Sequence, residues 1–517
     1  MFWFALALSG LTAQVQAPPP PPSAAQSQAA PTTAAVGEAY FLFLQGRTLE
    51  GRGEIAEAVA AYRAAITLVP QAADIRAELA GLFAREGRAA EAISEGDAAV
   101  AVDPDNHEAH RILGLVRAAL ADNASSTDEQ GRLVVQAIGH LELALAGGRR
   151  DPGVEISLGR LYVRTGQYIK AVPTLTGFLN DQPGYPEGVL LLVEALDATG
   201  EEAQAIAVLE PLVRDQPDMA RARSWLAELY DAVGRPRDAL PHWRELARTN
   251  PSNLPVRTRF ATSLVNLGQV DEGRQALLEL AGEFPRDIAL WYLVSQVENR
   301  AGNAEGAENA ARRISDIDAS DPRGPLAMAE AQSARGDYRA AIATLGPVLG
   351  ALRVEPVTGV YARVAVELAA ALAASGDLDR GIRVLEDART RDDNNVEVLT
   401  ALAAGYLKDR RHQSAERIYR DLVRRDGSNP VYLDGLGWSL VQQGQAGLGR
   451  EHLQAAVALR PTESVMLDHL AEALFQLKEY RDAAAMWDRA LAGDRAGIDV
   501  DAVTTKRDRA RQLAGRR

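Results

Sequence analysis

The chain contains no cysteine among its 517 residues. This absence excludes thiol nucleophiles, disulfide bonds, iron–sulfur clusters, cysteine-ligated zinc and a lipid anchor on an N-terminal cysteine. Aromatic residues make up only 5% of the chain, and lysine is found only as Lys170, Lys408, Lys478 and Lys506. Ala, Leu, Arg, Glu and Gly dominate instead, and this composition favours helices over sheets.

Acidic residues outnumber basic ones, and the net charge is −14. Neutralising nucleic-acid phosphates needs a basic face, so nucleic-acid binding is disfavoured. Motifs for zinc proteases, phosphate-binding loops and serine hydrolases are missing. His107 and His110 could share a helix face, but no further ligand lies near them in sequence, so a surface pair is favoured over a metal site. We therefore expect no catalytic residues, no cofactor and no metal.

The N-terminus has features of an export signal. An apolar run from Phe2 to Leu11 is followed by the small residues Ala13 and Ala17, although no basic residue precedes it. The run is too short to span a bilayer. We expect a signal peptide over residues 1–17, a Pro/Ala/Ser/Gln-rich linker over 18–36, no integral membrane span, and a periplasmic or secreted protein. The alternative is a plain apolar start on a cytoplasmic protein.

Three residue types recur every 34 positions. Prolines keep this step at Pro183, Pro217, Pro251 and Pro285, and at Pro70 and Pro104. Glycines keep it at Gly166, Gly200, Gly234, Gly268 and Gly302, and small residues at Ala171, Ala205, Ala239, Gly273 and Ala307. Proline ends a helix, glycine suits a tight turn, and a small side chain lets two helices approach closely. The period predicts repeated helix–turn–helix units.

The pattern predicts thirteen such units. They begin near Ala39, Ala73, His107, Pro152, Pro186, Ala220, Leu254, Ile288, Pro322, Ala362, Val396, Pro430 and Ser464. The third unit has an insertion at 122–132, which its polarity predicts to be a flexible loop and a secondary candidate for partner contact. The ninth is lengthened at 350–358. A charged last helix, 500–514, should cap the open end.

The 34-residue unit resembles the tetratricopeptide repeat over residues 39–497. The resemblance implies an all-α, right-handed superhelical solenoid, with residues 498–517 as a capping helix and tail. It also implies that the first helix of each pair lines a concave groove that binds a protein or peptide. Since nearly every residue after Ala39 falls in a repeat, we expect a non-catalytic scaffold.

Groove positions are the second, fifth, ninth and twelfth residues of each unit. The candidate partner-binding residues are Arg160, Arg164 beside it, Glu187, Glu194, Asp197, Glu228, Asp231, Asp434, Trp438, Asp468, Glu472 and Phe475. The acids of units five and six favour a partner with a basic segment, unless they form an ordinary solvated face. Trp438 and Phe475 beside acids predict an anchoring pocket, unless Trp438 is buried between units.

The last two units carry a narrower resemblance. Tyr432–Trp438, Asp468–Glu472 and Trp487 look like the end of a bacterial group that includes an outer-membrane lipoprotein partnering a periplasmic carboxyl-terminal processing protease, although this chain lacks the lipidated cysteine. An adaptor that delivers substrates to such a protease is thus one alternative function. Another is a self-assembling structural solenoid. That would need an apolar terminal face, whereas the last helix is rich in Arg and Asp, so a monomer is expected.

Overall fold

The computed structural model describes residues 32–352 and 359–515, and over these residues it contains helices and turns but no strand. The chain divides into two compact units, Met1–Val233 and Gly234–Arg517. The predicted signal peptide lies outside the described residues. Of the predicted linker, residues 33–36 belong to the first helix, which begins at Thr33.

From residue 32 onward, where its description begins, the first unit contains eleven helices and one short 3-10 turn at Ala146–Gly148. The helices are α1 (Thr33–Gly51), α2 (Ile55–Leu68), α3 (Ala73–Arg85), α4 (Ala89–Val102), α5 (His107–Asp122), α6 (Thr127–Ala144), α7 (Pro152–Arg164), α8 (Tyr168–Asp181), α9 (Pro186–Ala198), α10 (Glu202–Asp215) and α11 (Ala220–Ala232).

The second unit contains sixteen helices among its described residues. They are α12 (Pro236–Thr249), α13 (Leu254–Asn266), α14 (Val270–Glu283), α15 (Ile288–Arg300), α16 (Ala304–Ile317), α17 (Arg323–Ala334), α18 (Tyr338–Leu352), α19 (Gly359–Ala374), α20 (Leu378–Arg391), α21 (Val396–Lys408), α22 (His412–Arg425), α23 (Pro430–Gln442), α24 (Ala446–Leu459), α25 (Ser464–Gln476), α26 (Tyr480–Ala492) and α27 (Val500–Ala514).

Among the described residues, α1 to α26 alternate along the chain as thirteen first and thirteen second helices, and α27 packs against α26 as the predicted cap. This confirms the predicted all-α helical-repeat fold. The recurrent prolines lie two residues beyond a second helix, as Pro183 does beyond α8. The recurrent glycines form the turn inside a pair with a left-handed backbone, with φ 75° at Gly200. In two pairs this position is instead held by Arg410 (φ 59°) and Lys478 (φ 66°).

Small residues set the closest approach between the helices of a pair. Ala171, Ala205 and Ala307 are fully buried. Gly437 in α23 and Gly449 in α24 meet so closely that a Cβ on Gly437 would lie 2.8 Å from the Gly449 carbonyl oxygen. Any side chain at Gly437 would therefore force the two helices apart.

The insertion in the third pair is not the flexible loop that its polarity predicts. Helix α5 has 16 residues and α6 has 18, against 13 or 14 in most other helices, so only residues 123–126 lie outside helices. The Ser126 hydroxyl accepts a hydrogen bond from the Glu129 backbone N–H at 3.2 Å and caps α6. The extra residues lengthen two helices, and the sequence Ser126-Thr-Asp-Glu129 is the capping signal that foretells this.

Within each unit the first helices of consecutive pairs contact one another. This holds from α3 to α9 in the first unit and from α15 to α25 in the second. The described second helices of consecutive pairs have no comparable contact. Within each unit the first helices therefore lie on the more crowded side of the stack, where residues from neighbouring pairs meet.

Candidate partner-binding surface

We define the first-helix surface as the side chains at the second, fifth, ninth and twelfth residues of each repeat unit, counted from the unit starts that the sequence predicts. Residues of neighbouring pairs can meet there, as a ninth residue of one pair and the second residue of the next do between α7 and α9. Arg160 of α7 and Glu187 of α9 illustrate this arrangement. The Arg160 Nε donates to Glu187 Oε1 at 2.7 Å.

The two arginines of the fourth pair are thus engaged within the chain. Arg160 pairs with Glu187, and Arg164 pairs with Asp122 of α5 at 2.7 Å between Nη1 and Oδ1. Both ion pairs are largely solvent-exposed, and such pairs contribute about 0–1 kcal/mol each. The ion pair with Arg160 nevertheless means that Glu187 is not a free acid for a binding partner.

Three acids of the fifth and sixth pairs have no cation within 4.0 Å among the described residues. Glu194 is half-buried on α9, and Asp197 is exposed one turn later. Glu228 is exposed on α11 and accepts a hydrogen bond from the Ser224 hydroxyl at 3.2 Å. These three carboxylates keep their charge available to a basic group.

An aromatic ring lies among these acids. Trp225 of α11 is half-buried and donates its indole N–H to Asp197 Oδ2 at 3.3 Å. An indole face beside carboxylates suits a guanidinium or ammonium group, since the ring adds a cation–π attraction. Arg221 lies on the same helix at the second position and makes no ion pair with Glu194. Asp231, the fifth predicted acid of this region, is half-buried.

In the last two pairs the predicted residues are bonded to one another. Asp434 of α23 accepts from His469 Nδ1 of α25 at 2.9 Å. The His469 ring stacks on Trp438, with 4.1 Å between ring centroids and 10° between planes. Trp438 is half-buried between two pairs, which is the alternative that the sequence left open, and not an exposed anchor.

The capping helix occupies the remaining acids of the last pair. Asp468 Oδ1 accepts from the fully buried Trp487 Nε1 at 2.7 Å and from Lys506 Nζ of α27 at 3.2 Å. Lys506 also pairs with Glu472 at 3.5 Å. These acids are therefore bound internally by a cation that the sequence analysis did not connect to them.

Phe475 is likewise half-buried. Its ring packs 5.7 Å from Trp487, and the Arg509 guanidinium of α27 lies 5.7 Å above it. The exposed pocket of Trp438 and Phe475 that the sequence predicts is thus absent from the described structure. The signal that could have revealed this is the basic content of the last helix, which complements the acids of α25.

A polar cluster that the sequence did not single out crosses the first-helix surface of the second unit. Arg363 of α19 pairs with Glu330 of α17 at 3.2 Å and with Glu397 of α21 at 2.8 Å. Tyr292 of α15 donates its hydroxyl to Glu330 at 3.3 Å. Burial raises the pKa of Glu330, and the bonds from Arg363 and Tyr292 oppose that rise. These groups satisfy one another across four pairs.

Next to this cluster the surface is apolar and recessed. A cavity of about 190 Å³ lies between α19, α20 and α21. Its wall includes Val366, Ala370, Ala373 and Ala404 on the first-helix surface, with Lys408 at its edge. The recess exists because alanines stand where other pairs carry larger side chains.

The histidines of the third pair do not pair as the sequence suggested. His107 contacts the Leu143 carbonyl, while His110 Nδ1 lies 2.8 Å from His140 Nδ1 of α6. Over the described residues no group of three or more His, Asp or Glu side chains is placed to hold a metal ion. In the same part of the chain, no helix combines the length and apolarity that crossing a membrane requires.

Several solved structures are similar to this chain at low identity. A tetratricopeptide repeat protein from Parabacteroides merdae is 14% identical, and the match covers 49% of this chain and 98% of that protein with a TM-score of 0.41. The Cut9–Hcn1 hetero-tetramer of the APC/C is 14% identical, and the match covers 92% of this chain and 97% of that chain with a TM-score of 0.40. Yeast Tom70 is 14% identical, and the match covers 92% of this chain and 96% of that chain with a TM-score of 0.38. No curated protein matches the sequence.

Family models locate the repeats in the sequence itself. One model described as tetratricopeptide repeat matches residues 43–107, and another with the same description matches 162–229 and 232–297. These ranges cover α2–α4 and most of the sequence from α8 to α15, including Glu194 and Glu228. The chain therefore contains tetratricopeptide repeats.

Proposed function

We propose that the chain is a non-catalytic scaffold whose first-helix surface binds a protein or peptide partner. Tetratricopeptide proteins act as protein-interaction scaffolds, and repeats of this kind account for the matched regions. The observation that carries the proposal is that Glu194, Asp197 and Glu228 have no ion-pair partner among the described residues, while Asp197 accepts a hydrogen bond from the Trp225 indole N–H. A partner segment containing Arg or Lys would complement this surface in charge and in ring stacking.

The test is charge reversal at the two acids that lie one pair apart. Glu194→Lys combined with Glu228→Lys should reduce affinity for a fluorescein-labelled Arg/Lys-rich peptide by at least tenfold. The wild-type affinity should also fall as salt rises, since exposed charges are screened. An acidic peptide of equal length is the probe control.

A matched variant controls for net charge. Glu57→Lys with Asp218→Lys makes the same change in total charge at exposed positions of the first unit that lie off the first-helix surface. If this control weakens the basic peptide as much as the first-helix variant does, binding reflects overall charge and the proposed surface is wrong. Unchanged capture of cellular partners by the Glu194/Glu228 variant would also contradict it.

We further propose that the scaffold works on the outer side of a bacterial cytoplasmic membrane. The apolar run 2–11 and the small residues after it support export. The sequence of Tyr432–Trp438 and Asp468–Glu472 supports a role beside a carboxyl-terminal processing protease. Sequencing the mature N-terminus checks the first point, and affinity purification from envelope fractions checks the second. A mature chain that still begins at Met1 in the cytoplasm would overturn both.

A further inference from the structure

The second unit contains a polar cavity outside the first-helix surface. It has a volume of about 290 Å³ and lies between the second helices α20 and α22, beside the first helix α21. Three arginines line it, Arg389 of α20 and Arg417 and Arg424 of α22, and the buried side chains of Leu399 and Ile418 form part of its wall. None of its residues is at the second, fifth, ninth or twelfth place of a unit, so it is separate from the partner-binding surface. We call it the arginine pocket.

Two of the three guanidinium groups have no acidic partner. Among the described residues, no carboxylate oxygen lies within 4.0 Å of a side-chain nitrogen of Arg389 or Arg417. Arg417 Nη2 lies 3.5 Å from the hydroxyl oxygen of Ser414, which also lines the pocket. A guanidinium carries five N–H donors and stays charged in proteins, so these two groups keep most of their donors free for a ligand.

The two acids of the pocket lining do not cancel this charge. Asp421 is paired with two arginines, Arg424 at 3.0 Å and Arg425 at 2.6 Å. Asp393 accepts a hydrogen bond from Asn394 Nδ2 at 3.0 Å and is thus the only acid of the lining without a described cationic partner. Helices α20 to α22 and their connecting turns carry eleven Lys or Arg residues and nine Asp or Glu residues, whereas the whole chain has a net charge of −14. The pocket is therefore a locally basic site on an acidic protein.

The repeat shows that Arg389 departs from the pattern of the other second helices. It is the twelfth residue of α20, and the twelve other second helices of the described chain have an apolar or small residue at that place. Val213 and Leu349, each 4% exposed, are buried there. Burying an unpaired guanidinium is costly, and the Arg389 side chain is exposed at the pocket instead. A packing position of the repeat has thus become a charged wall of a cavity.

We propose that the arginine pocket binds the phosphate group of a small phosphomonoester. A carboxylate is planar, and one guanidinium fork satisfies it. A phosphate group offers three acceptor oxygens and nearly two negative charges at neutral pH, so it can accept from several guanidinium groups at once. Arg389, Arg417 and Arg424 supply such donors from two helices around one cavity. This site does not depend on which partner the first-helix surface binds.

The size of the cavity favours a monoester over the free ion. An apolar cavity of about 150 Å³ accommodates a benzene molecule. The arginine pocket, at about 290 Å³, leaves room for an organic group beside the phosphate. Leu399 and Ile418 provide apolar surface against which that group can pack.

Isothermal titration of the full-length chain with phenyl phosphate at low salt tests the proposal. The wild type should bind one molecule with a dissociation constant on the order of 1 mM or below, and the affinity should fall as salt rises. Arg389→Leu restores the residue type of the other second helices, so it should fold normally. It should weaken binding by about tenfold or more, because charge-assisted bonds to phosphate are strong. Arg417→Ala should have a similar effect.

Arg383→Ala is the matched control. Arg383 is the sixth residue of α20, the place that Arg417 holds in α22, and it too is exposed and has no described carboxylate within 4.0 Å. Since Arg383 does not line the pocket, this variant removes the same charge and should bind phenyl phosphate like the wild type. Equal losses in Arg383→Ala and Arg389→Leu would mean that overall charge attracts the anion, which would overturn the proposal.

Two other anions identify the class of ligand. Inorganic phosphate lacks the organic group and should bind about threefold more weakly than phenyl phosphate, or worse. Benzoate keeps the ring but has a single planar carboxylate, and it should bind about tenfold more weakly. The absence of binding by phenyl phosphate, or equal binding of benzoate, contradicts a phosphate site. Equal affinity for inorganic phosphate would make the free ion the ligand and would overturn the assignment to a monoester.

Discussion

The fifth and sixth pairs and the last pair carry the same kind of residues on their first helices, yet the structure treats them differently. Glu194 and Glu228 have no cationic partner in the described part of the chain, whereas Asp468 and Glu472 both pair with Lys506 of α27. The acid pattern of a repeat therefore gives the position of a carboxylate but not its availability. Availability depends on whether another part of the same chain reaches it.

The largest expected effect comes from removing an acid that the chain already uses. Asp468→Ala leaves the buried Trp487 indole N–H and the Lys506 ammonium without their acceptor. The loss should be about 2–3 kcal/mol in the free energy of opening α27, since bonds to a charged group contribute about 1.5–3 kcal/mol. Hydrogen exchange of α26 and α27 measures it.

Two further variants serve as controls for Asp468→Ala. Glu228→Ala, at an exposed acid with only a hydroxyl partner, should change the opening of α11 by less than about 0.5 kcal/mol. Asp468→Asn keeps an oxygen acceptor for Trp487 and should recover part of the loss. Equal effects at Asp468 and Glu228 would mean that the two acids do not differ as described.

The next largest effect is a loss of stability in acid, which we expect in the first unit because it contains His140. Burial, Arg117 and His110 lower the pKa of His140, in the first unit, to about 4 from 6.5. Because the folded pKa is the lower one, the unfolded chain takes up the proton first as pH falls. The stability that neutral His140 contributes is complete above about pH 6.5 and declines between pH 6.5 and 4.

The size of this acid effect is moderate because His140 is only partly buried. After allowance for solvent screening, we expect the first unit to lose on the order of 1–2 kcal/mol over this range. Urea unfolding of wild type and His140→Gln at pH 7 and pH 4.5 measures it by circular dichroism. The variant should show less acid loss, and an identical loss would remove His140 as the cause.

Lys506→Ala sharpens the comparison by freeing the acids of the last pair. The ion pairs are partly exposed, so the cost in stability should be about 1 kcal/mol or less. The uncovered Asp468 and Glu472 should then attract the basic peptide, for which we propose only the fifth and sixth pairs as the binding site in the wild type. Isothermal titration should show a second, weaker site. No change in stoichiometry would indicate that α27 covers these acids without Lys506.

The smallest effects concern the turns inside the same pairs. The fifth pair turns at Gly200 and the last pair at Lys478, both with a left-handed backbone. Such a conformation costs a residue other than glycine roughly 1 kcal/mol. Lys478→Gly should raise the thermal midpoint of the second unit slightly, and Gly200→Ala should lower that of the first. A drop on Lys478→Gly would show that the lysine side chain has a compensating contact.

The sequence was sufficient for the fold because the same physical constraints recur in every repeat. Ten of the thirteen first helices begin at the predicted residue, including Pro186, Ala220 and Ser464. At some of these starts a proline or a polar N-cap residue fixes the first turn of the helix. At the others the start is predicted by counting 34 residues from the start of the neighbouring unit. The insertion at 122–132 shows the limit of the pattern, because its polarity predicts a loop whereas the Ser126–Glu129 cap favours a helix.

The candidate site was less accessible to sequence. The repeat places Glu194, Glu228 and Asp468 on first helices, but the contact that distinguishes Asp468 from the other two comes from a residue far away in sequence. Lys506 lies 38 residues from Asp468, and His469 lies 35 from Asp434.

Hydrogen exchange of the full chain with and without the Arg/Lys-rich peptide tests the central claim most directly. The account predicts that the peptide slows exchange in α9 and α11 and leaves α25 unchanged, because only the first of these surfaces has unpaired acids. Protection confined to α25 and α27, with none at α9 and α11, would contradict it.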